Sequence, residues 1–498
     1  MPARQVRRVR KGRLVLALLL VCLVVGVALA VTFVEQSGIT PRALAPYIAK
    51  RTGGHNPAIV GAGAFVATRL TAFDRGDMAP PPALRLALGA QPVALSGPPA
   101  SGAHDIMVGS ADDARRALGD AHAGDVITFL PGRYRFSGSL PARGAGRADA
   151  PILVRALTPG SVTIAFDMVE GFLVTAPYWR FENLTIEGVC GDDTYCEHAF
   201  HVVGGATHFA AINNTIVDFN AHFKINGADG HFPDGGLIAS NTLTNTRARR
   251  TANPVTPIDL VAAGGWTVRH NLISDFIKEQ GDQVSYGGFF KGAGMHNVFE
   301  SNLVWCEHML QGRPGQRVGL SLGGGGTGKA YCREQRCIAE QERGEVRANL
   351  IVGCSDVGIY LNNAAASVVI DNTLLDTGGI DVRFAGSSAD VDGNLVDGAI
   401  RSRNGALLRE GDNRTAPVAY AYLGIHPQRA LLRDPLGADF TWTGAAPVRD
   451  PRRMTRRSGA RLCGPNAALQ AYGAFDDFAA CRAPVSASAA TASNSAAN

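Results

Sequence analysis

From about residue 126 onward, apolar residues come in short runs that alternate with polar ones and are separated by turn residues. Val126-Ile127-Thr128-Phe129-Leu130 is one such run, closed by Pro131-Gly132. A period of two predicts strands, and no 3.6-residue period runs through this region. Upstream the pattern changes. Ser110, then Asp112 and Asp113, then Ala114, Ala117, Leu118 and Ala121 predict a capped amphipathic helix over 110–121. A short helix is expected at 41–51. The rest of 35–104 is rich in Ala, Pro and Gly, with Pro80, Pro81 and Pro82 in a row, and reads as linker. Leu14 to Val34 is apolar apart from Gly26 and Thr32, long enough to span a bilayer.

The strand region repeats. Asparagine followed by two apolar or β-branched residues occurs at Asn183, Asn214, Asn241, Asn271, Asn302, Asn349, Asn372 and Asn394, at intervals of 31, 27, 30, 31, 47, 23 and 22. Periods of this size signal a solenoid, and the strand-type runs make it a β solenoid. The longest interval holds Gly323 to Gly326 and the Cys332–Cys337 segment, expected as an inserted loop. The asparagines read as a structural ladder. Stacked amides can bond from rung to rung, and Asn tolerates a left-handed coil corner.

Three stretches, GDVITFLPGRY (124–134), APILVRALTPGSVTI (150–164) and WRFENLTIEG (179–188), resemble the opening coils of right-handed parallel β-helix proteins of the pectin-lyase-like superfamily. The tone is closest to the chondroitinase-B and alginate-lyase-like branch. The resemblance implies an all-β, single-stranded parallel β-helix over 105–410, with three sheets wound into a prism and a groove for a polysaccharide on one face. It also implies lyase, hydrolase or epimerase chemistry on acidic polysaccharides. The remaining segments are then a basic cytoplasmic stretch (1–13), an anchor (14–34), the linker (35–104), a C-terminal segment packing on or capping the solenoid (411–483) and a disordered tail (484–498).

Composition narrows this picture. Glycine is 59 of 498 residues and charged residues are 18%, which fits many tight turns and excludes coiled coil and collagen. The net charge of +5 misleads, because the basic residues sit at the ends. Arg4, Arg7, Arg8, Arg10, Lys11 and Arg13 precede the apolar segment. Arg449, Arg452, Arg453, Arg456, Arg457 and Arg461 form a second cluster, read as a solvated segment. The middle is mildly acidic, so nucleic acid is not an expected partner. Positive charge before the span orients the rest for export, to a periplasm if the inner membrane is bacterial in type. A signal peptide cleaved at Ala28-Leu29-Ala30 is the alternative. Apart from Cys22, eight cysteines remain, an even number that suits disulfides in an exported chain. Proximity favours Cys190–Cys196, Cys332–Cys337 and Cys463–Cys481, which leaves Cys306–Cys354. The expected state is a monomer.

Candidate chemistry lies upstream of the asparagines. Gly287 to Lys291, Gly358 to Asn362 and Gly379 to Arg383 look like equivalent strands, which would stack Lys291, Asn362 and Arg383. Asp259, Tyr286, His296 and Tyr360 lie nearby in this alignment. These types suit β-elimination from a uronic acid. A cation, an amide or a metal neutralises the carboxylate, a lysine of lowered pKa takes the neighbouring proton, and a tyrosine protonates the leaving oxygen. Lys291, in FFKGAGMHNVF, is the position most like the lysine base of the chondroitinase-B-like branch. That branch places an arginine in a Leu-Arg-His-Gly phrase, where this chain reads Leu320-Ser321-Leu322-Gly323. Arg317 or Arg383 would have to supply it. The catalytic candidates are therefore Lys291, Arg317, Arg383 and Tyr286, and the substrate-binding candidates are Asn362, Tyr360, Asp259 and His296. No cofactor is required. Calcium is an alternative at Asp192-Asp193, which a turn in a cysteine loop also explains. A non-catalytic glycan binder and a purely structural solenoid are the competing readings.

Overall fold

The computed structural model describes residues 3–76, 86–95, 103–324, 326–456, 459–463 and 471–481. The expected tail at 484–498 and the Pro80–Pro82 run lie outside the described residues. The chain divides into two compact units, one of residues 1–76 with 416–426, the other of residues 77–415 with 427–498.

The smaller unit is helical. Its first helix, Ala3–Ser37, carries the segment Leu16–Ser37, with a mean hydropathy of 3.0, the one stretch among the described residues long and apolar enough to cross a membrane. Pro41–Thr52 and Pro57–Arg75 follow as a helical hairpin. The second of these replaces the expected linker. The start signals were present: Asn56 caps the backbone N–H of Ile59 at 3.1 Å, and Pro57 stands at the first helical position. Glu35 accepts the backbone N–H groups of Val418 and Ala419 at 3.1 and 2.8 Å, which closes the unit around a one-turn helix at 418–421.

The larger unit is a right-handed parallel β-helix. Three long sheets of 12, 10 and 10 strands run its length, and every rung-to-rung pairing in them is parallel. A representative coil places Leu237–Ala239 in the first sheet, Thr242–Thr244 in the third and Ile258–Val261 in the second. Ile238, Leu243 and Leu260 from these strands point inward and are fully buried. The rings of Phe172, Phe200 and Phe223 stack along the axis at 5.1 and 5.2 Å. The helix Ala111–Gly119, capped by Ser110 on Asp113, buries Ala114, Ala117 and Leu118 against the first coils.

The asparagine ladder sits at the turn from the first sheet to the third. Asn241 donates its backbone N–H and its side-chain Nδ2 to Asn271 Oδ1 at 2.8 and 3.1 Å, and Asn271 does the same to Asn302 at 3.0 Å. The pattern continues through Asn349, Asn372 and Asn394 to Asn413, a rung the sequence reading missed. Two expectations are corrected. Asn183 is one residue out of line: Leu184 stands on the ladder position and donates to Asn214, while Asn183 stacks on Asn213 at 2.8 Å. The left-handed residue is not the ladder asparagine but the one before it, as at Ser240, His270, Ser301, Ala348 and Asp371.

The third sheet is covered over its later rungs, while Arg133 and Arg135 on its first strand are exposed. Its outward Leu303, Trp305, Leu350, Val352 and Leu375 pack against Leu432, Phe440, Leu462, Phe475 and Phe478 from the C-terminal segment, with Leu88 added from residues 86–95. Of the C-terminal arginines, Arg452, Arg453 and Arg456 are exposed, as a solvated segment requires, while Arg449 and Arg461 are buried. Arg449 is buried between Asp371 at 2.9 Å and Asp392 at 2.7 Å, and Arg456 pairs with Asp390 at 2.7 Å. The disulfides are Cys190–Cys196, Cys306–Cys354, Cys332–Cys337 and Cys463–Cys481.

Replacing Asn302 by leucine removes the acceptor for Asn271 and the donor to Val268 and Asn349, all inside the protein. The expected cost is roughly 3–5 kcal/mol, several unmet buried groups at about 1–3 kcal/mol each. Urea denaturation measures it. A loss under about 1 kcal/mol would mean that the ladder is incidental to stability.

Candidate active site

The outer face of the second sheet carries most of the candidates, because alternate residues of each strand point away from the core. Register places Leu173, His201, Lys224, Asp259, Phe289, Ser321, Tyr360, Asp381 and Arg401 in one outward column. Two residues further along the strands, Asn226, Val261 and Lys291 continue as a second column, and Asn362, Arg383 and Arg403 extend it beyond Gly323. Lys291, Asn362 and Arg383 are therefore on equivalent strands, with one glycine rung between Lys291 and Asn362.

Two charged clusters result. In the first, Lys224 pairs with Asp259 at 2.9 Å, and Lys291 lies beside them with its Nζ 4.2 Å from the centre of the Phe289 ring. The other oxygen of Asp259, Oδ1, is buried without a hydrogen-bond partner. Burial holds the Lys291 ammonium below the ordinary lysine value. Lys224 adds to this, and Asp259 and Glu340 oppose it. Glu340 accepts the backbone N–H of Gly292 at 3.0 Å. Further back, His201 bridges Glu170 and Asn226 at 2.9 Å each, His198 is held down to about 3 by burial, and burial raises Glu197.

The second cluster lies two to four strands on. Arg403 grips Asp381 with both guanidinium arms, one of them at 2.9 Å, and Arg383 lies beside Tyr360 and hydrogen-bonds Asn404 at 3.0 Å. Burial raises Tyr360 and pushes Tyr286 up to about 12, with Tyr360, Asp356 and Asp282 adding to the latter shift. Asp356 is also raised by burial, against its hydrogen bond from the Val357 N–H.

The four catalytic candidates do not converge. Lys291 has Asp259, Lys224 and Glu340 as its charged neighbours, none an arginine. Arg383 is three rungs away, about 14 Å at ~4.8 Å per rung. Tyr286 precedes Lys291 by five residues on one strand, Val284–Lys291, or about 16 Å at ~3.3 Å per residue. Arg317 is fully buried. Its Nε and Nη2 meet Glu307 at 2.8 and 2.7 Å, and Nη1 and Nη2 bond the carbonyls of Pro314 and Arg313 at 2.6 and 2.5 Å. It pins the excursion at 306–315 and is a packing group. Between the clusters, Phe289 and Ser321 are buried. Among the substrate-binding candidates, Asp259 joins the first cluster and Tyr360 the second. Asn362 pairs in register with Arg383 and leaves its Oδ1 unpartnered. His296 stands apart on an exposed left-handed corner. Sequence reasoning missed Lys224 as the companion of Lys291, although Lys224 falls in the outward position of the strand Ala221–Asn226.

The insert begins at Gly323 and is stapled by Cys332–Cys337. A side chain at Gly324 would meet the Lys291 stem at 2.8 Å, so the insert forms a wall against the lysine. Arg333 fastens it with a two-pronged pair to Asp234 at 2.7 and 2.8 Å and a stack on Phe232 at 4.5 Å. No group of three or more His, Cys, Asp or Glu residues placed to hold a metal occurs among the described residues. Asp192 closes its own turn on Thr194, and Asp193 is bound to Arg247 at 2.6 Å and the Arg250 N–H at 2.7 Å. A depression of 350 Å³ lies elsewhere, on the first sheet around Ser388, Asp390 and Arg456.

Comparison with known proteins returns no matching family model and no matching curated protein. Among solved structures the chain is similar to the pectate lyase Pel9A, at 15% identity and a TM-score of 0.47, covering 72% of this chain and 90% of that one. It is also similar to a rhamnogalacturonan lyase, at 14%, 0.42, 62% and 87%, and to an alginate lyase from Paenibacillus sp. str. FPU-7, at 16%, 0.36, 62% and 99%. At these scores the likeness goes no further than the parallel β-helix that the strand register already defines.

Arg317→Met leaves the Glu307 charge buried without its guanidinium and is expected to cost roughly 3–5 kcal/mol in urea denaturation. The Arg317→Met/Glu307→Met double variant should recover most of that loss. If the single variant kept wild-type stability and lost only activity, Arg317 would return to the catalytic set.

Proposed function

We propose that this is a membrane-tethered, exported β-helix protein that acts on an acidic polysaccharide at the outer face of its second sheet, by β-elimination. The observation that carries the reading is Lys291: a half-buried amine beside a second lysine, its pKa held down by burial, on an outward strand position. In its neutral form it removes the proton next to a uronic carboxylate. The electron pair forms the new carbon–carbon double bond as the glycosidic oxygen leaves, and the lysine returns the proton to that oxygen. Lys224 is the cation placed to neutralise the carboxylate, with Asp259 orienting it. The Tyr360, Asp381, Arg383 and Arg403 cluster lies along the same face, where it would hold a neighbouring acidic sugar. Tethering rests on the apolar helix, and export on the four disulfides.

A specific observation favours a second reading, a non-catalytic glycan binder. Lys291 has no arginine among its charged neighbours, and the insert crowds it from one side.

The test is incubation of the purified full-length chain with alginate, chondroitin, dermatan and pectin, following absorbance of the unsaturated product. One glycan should give signal, and Lys291→Met should abolish it while leaving glycan retention on an affinity gel. Retention with no signal from any glycan establishes the binder instead. Because the neutral amine is the active form, the rate should rise with pH, with a midpoint below the ordinary lysine value of ~10.4. A flat or falling profile excludes Lys291 as the base.

A further inference from the structure

The helical hairpin Pro41–Thr52 and Pro57–Arg75 has features the polysaccharide reading does not use. It is held rigid. The Arg42 guanidinium clasps Asp74 at 2.6 and 2.7 Å, with both side chains buried, which ties the start of one helix to the end of the other. Gly63 sits where any side chain would collide with Thr52, so the two helices pack closely there. Yet the outside of the hairpin is apolar. Ile59, Val60, Phe65, Val66 and Phe73 on the second helix and Tyr47 on the first are exposed, Phe65 to 62%. They are not confined to one stripe, and a helix of this kind needs something to cover it.

Three observations say what covers it. First, only three residues separate the end of the apolar span Leu16–Ser37 from Pro41, in the same compact unit, so the hairpin begins where that span would leave a bilayer. Second, the exposed charges of the hairpin have one sign. Lys50, Arg51 and Arg69 face solvent, and the only acid between residues 38 and 76 is Asp74, which Arg42 neutralises inside. Third, two of these cations lie over aromatic rings one helical turn away. Arg51 is 5.2 Å from the Tyr47 ring, and Arg69 is 5.2 Å from Phe65. An aromatic body with a cation above it suits the boundary where acyl chains meet headgroups.

We propose that this hairpin lies on the bilayer, with Phe65, Val66 and Tyr47 in the headgroup–acyl boundary and Lys50, Arg51 and Arg69 against anionic lipid headgroups. The proposal rests on the tethering reading above. The hairpin then serves as a second, interfacial membrane contact beside the spanning helix.

The experiment uses the full-length chain in vesicles of phosphatidylglycerol and phosphatidylcholine with brominated acyl chains. Phe65→Trp adds a reporter to the hairpin. The four natural tryptophans, Trp179, Trp266, Trp305 and Trp442, all lie in the β-helix unit and supply the background. Tyr195→Trp, at an exposed β-helix site, is the control. The chain should float with the vesicles. The fluorescence added by Phe65→Trp should be lost to bromine quenching, and that added by Tyr195→Trp should survive. Changing Lys50, Arg51 and Arg69 together to Gln should restore part of the Phe65→Trp emission. If the chain floats but Phe65→Trp is not quenched, the hairpin proposal fails while the anchor stands. If that unquenched reporter comes with hairpin-to-hairpin crosslinks, a second copy covers the surface and the bilayer assignment is wrong. If the chain does not float, the tethering reading fails and the hairpin proposal with it.

Discussion

Everything in the larger unit depends on parallel strands stacking in one fixed register. Each rung lies ~4.8 Å above the last, and a slip of a single residue would turn every core side chain outward. The amide ladder is the device that prevents the slip. From Asn241 to Asn394 each ladder amide accepts two N–H groups from the rung before it and donates to the rung after it, so a displaced coil would leave buried polar groups unmet on both sides. From Asn214 to Asn394 the residue before each ladder asparagine takes the left-handed conformation, which turns the chain from the first sheet to the third. Hydrophobic burial inside the prism supplies the driving force, and the ladder selects which coil meets which.

That fixed register decides which surface can be used. Successive coils bring outward residues of one sheet into straight columns, so groups far apart in sequence become neighbours. The later rungs of the third sheet spend their outward side on the C-terminal segment, whose aromatic residues cover Leu303, Leu350, Leu375 and Trp305. The second sheet keeps mostly polar and charged residues outward from His201 to Arg401, with Val261 and Phe289 among them. The charges on it are arranged in pairs. Lys224 pairs with Asp259 and Arg403 with Asp381, and burial disfavours the charged forms of Lys291 and Arg401.

The insert after Gly323 gives this face its asymmetry. It starts on the rung next to Lys291, is closed by a disulfide and is fastened by Arg333 to Asp234. Lys291 is thereby partly desolvated from one side while its other side stays accessible. A lysine in such a setting holds more of its amine in the neutral, proton-accepting form and is a costlier resident, the trade expected where chemistry or tight binding takes place.

The repeated asparagine phrase, the strand-type alternation and the even number of cysteines were enough to read a β solenoid with an apolar N-terminal helix. Each of these signals is local or periodic, and periodicity survives in the chain as written. The alignment of Lys291 with Asn362 and Arg383 was legible for the same reason. What the linear chain could not show was distance. That Leu184 and not Asn183 starts the ladder, that Arg317 is consumed by Glu307 and that Lys224 stands next to Lys291 are all facts of rung order and side-chain direction. The helix at 57–75 was hidden because its Ala and Gly content resembles a linker and its partner, Arg42, lies 32 residues away from Asp74. Contacts between residues separated by a whole coil or by a hairpin depend on three-dimensional stacking, so they were settled only when the chain was folded.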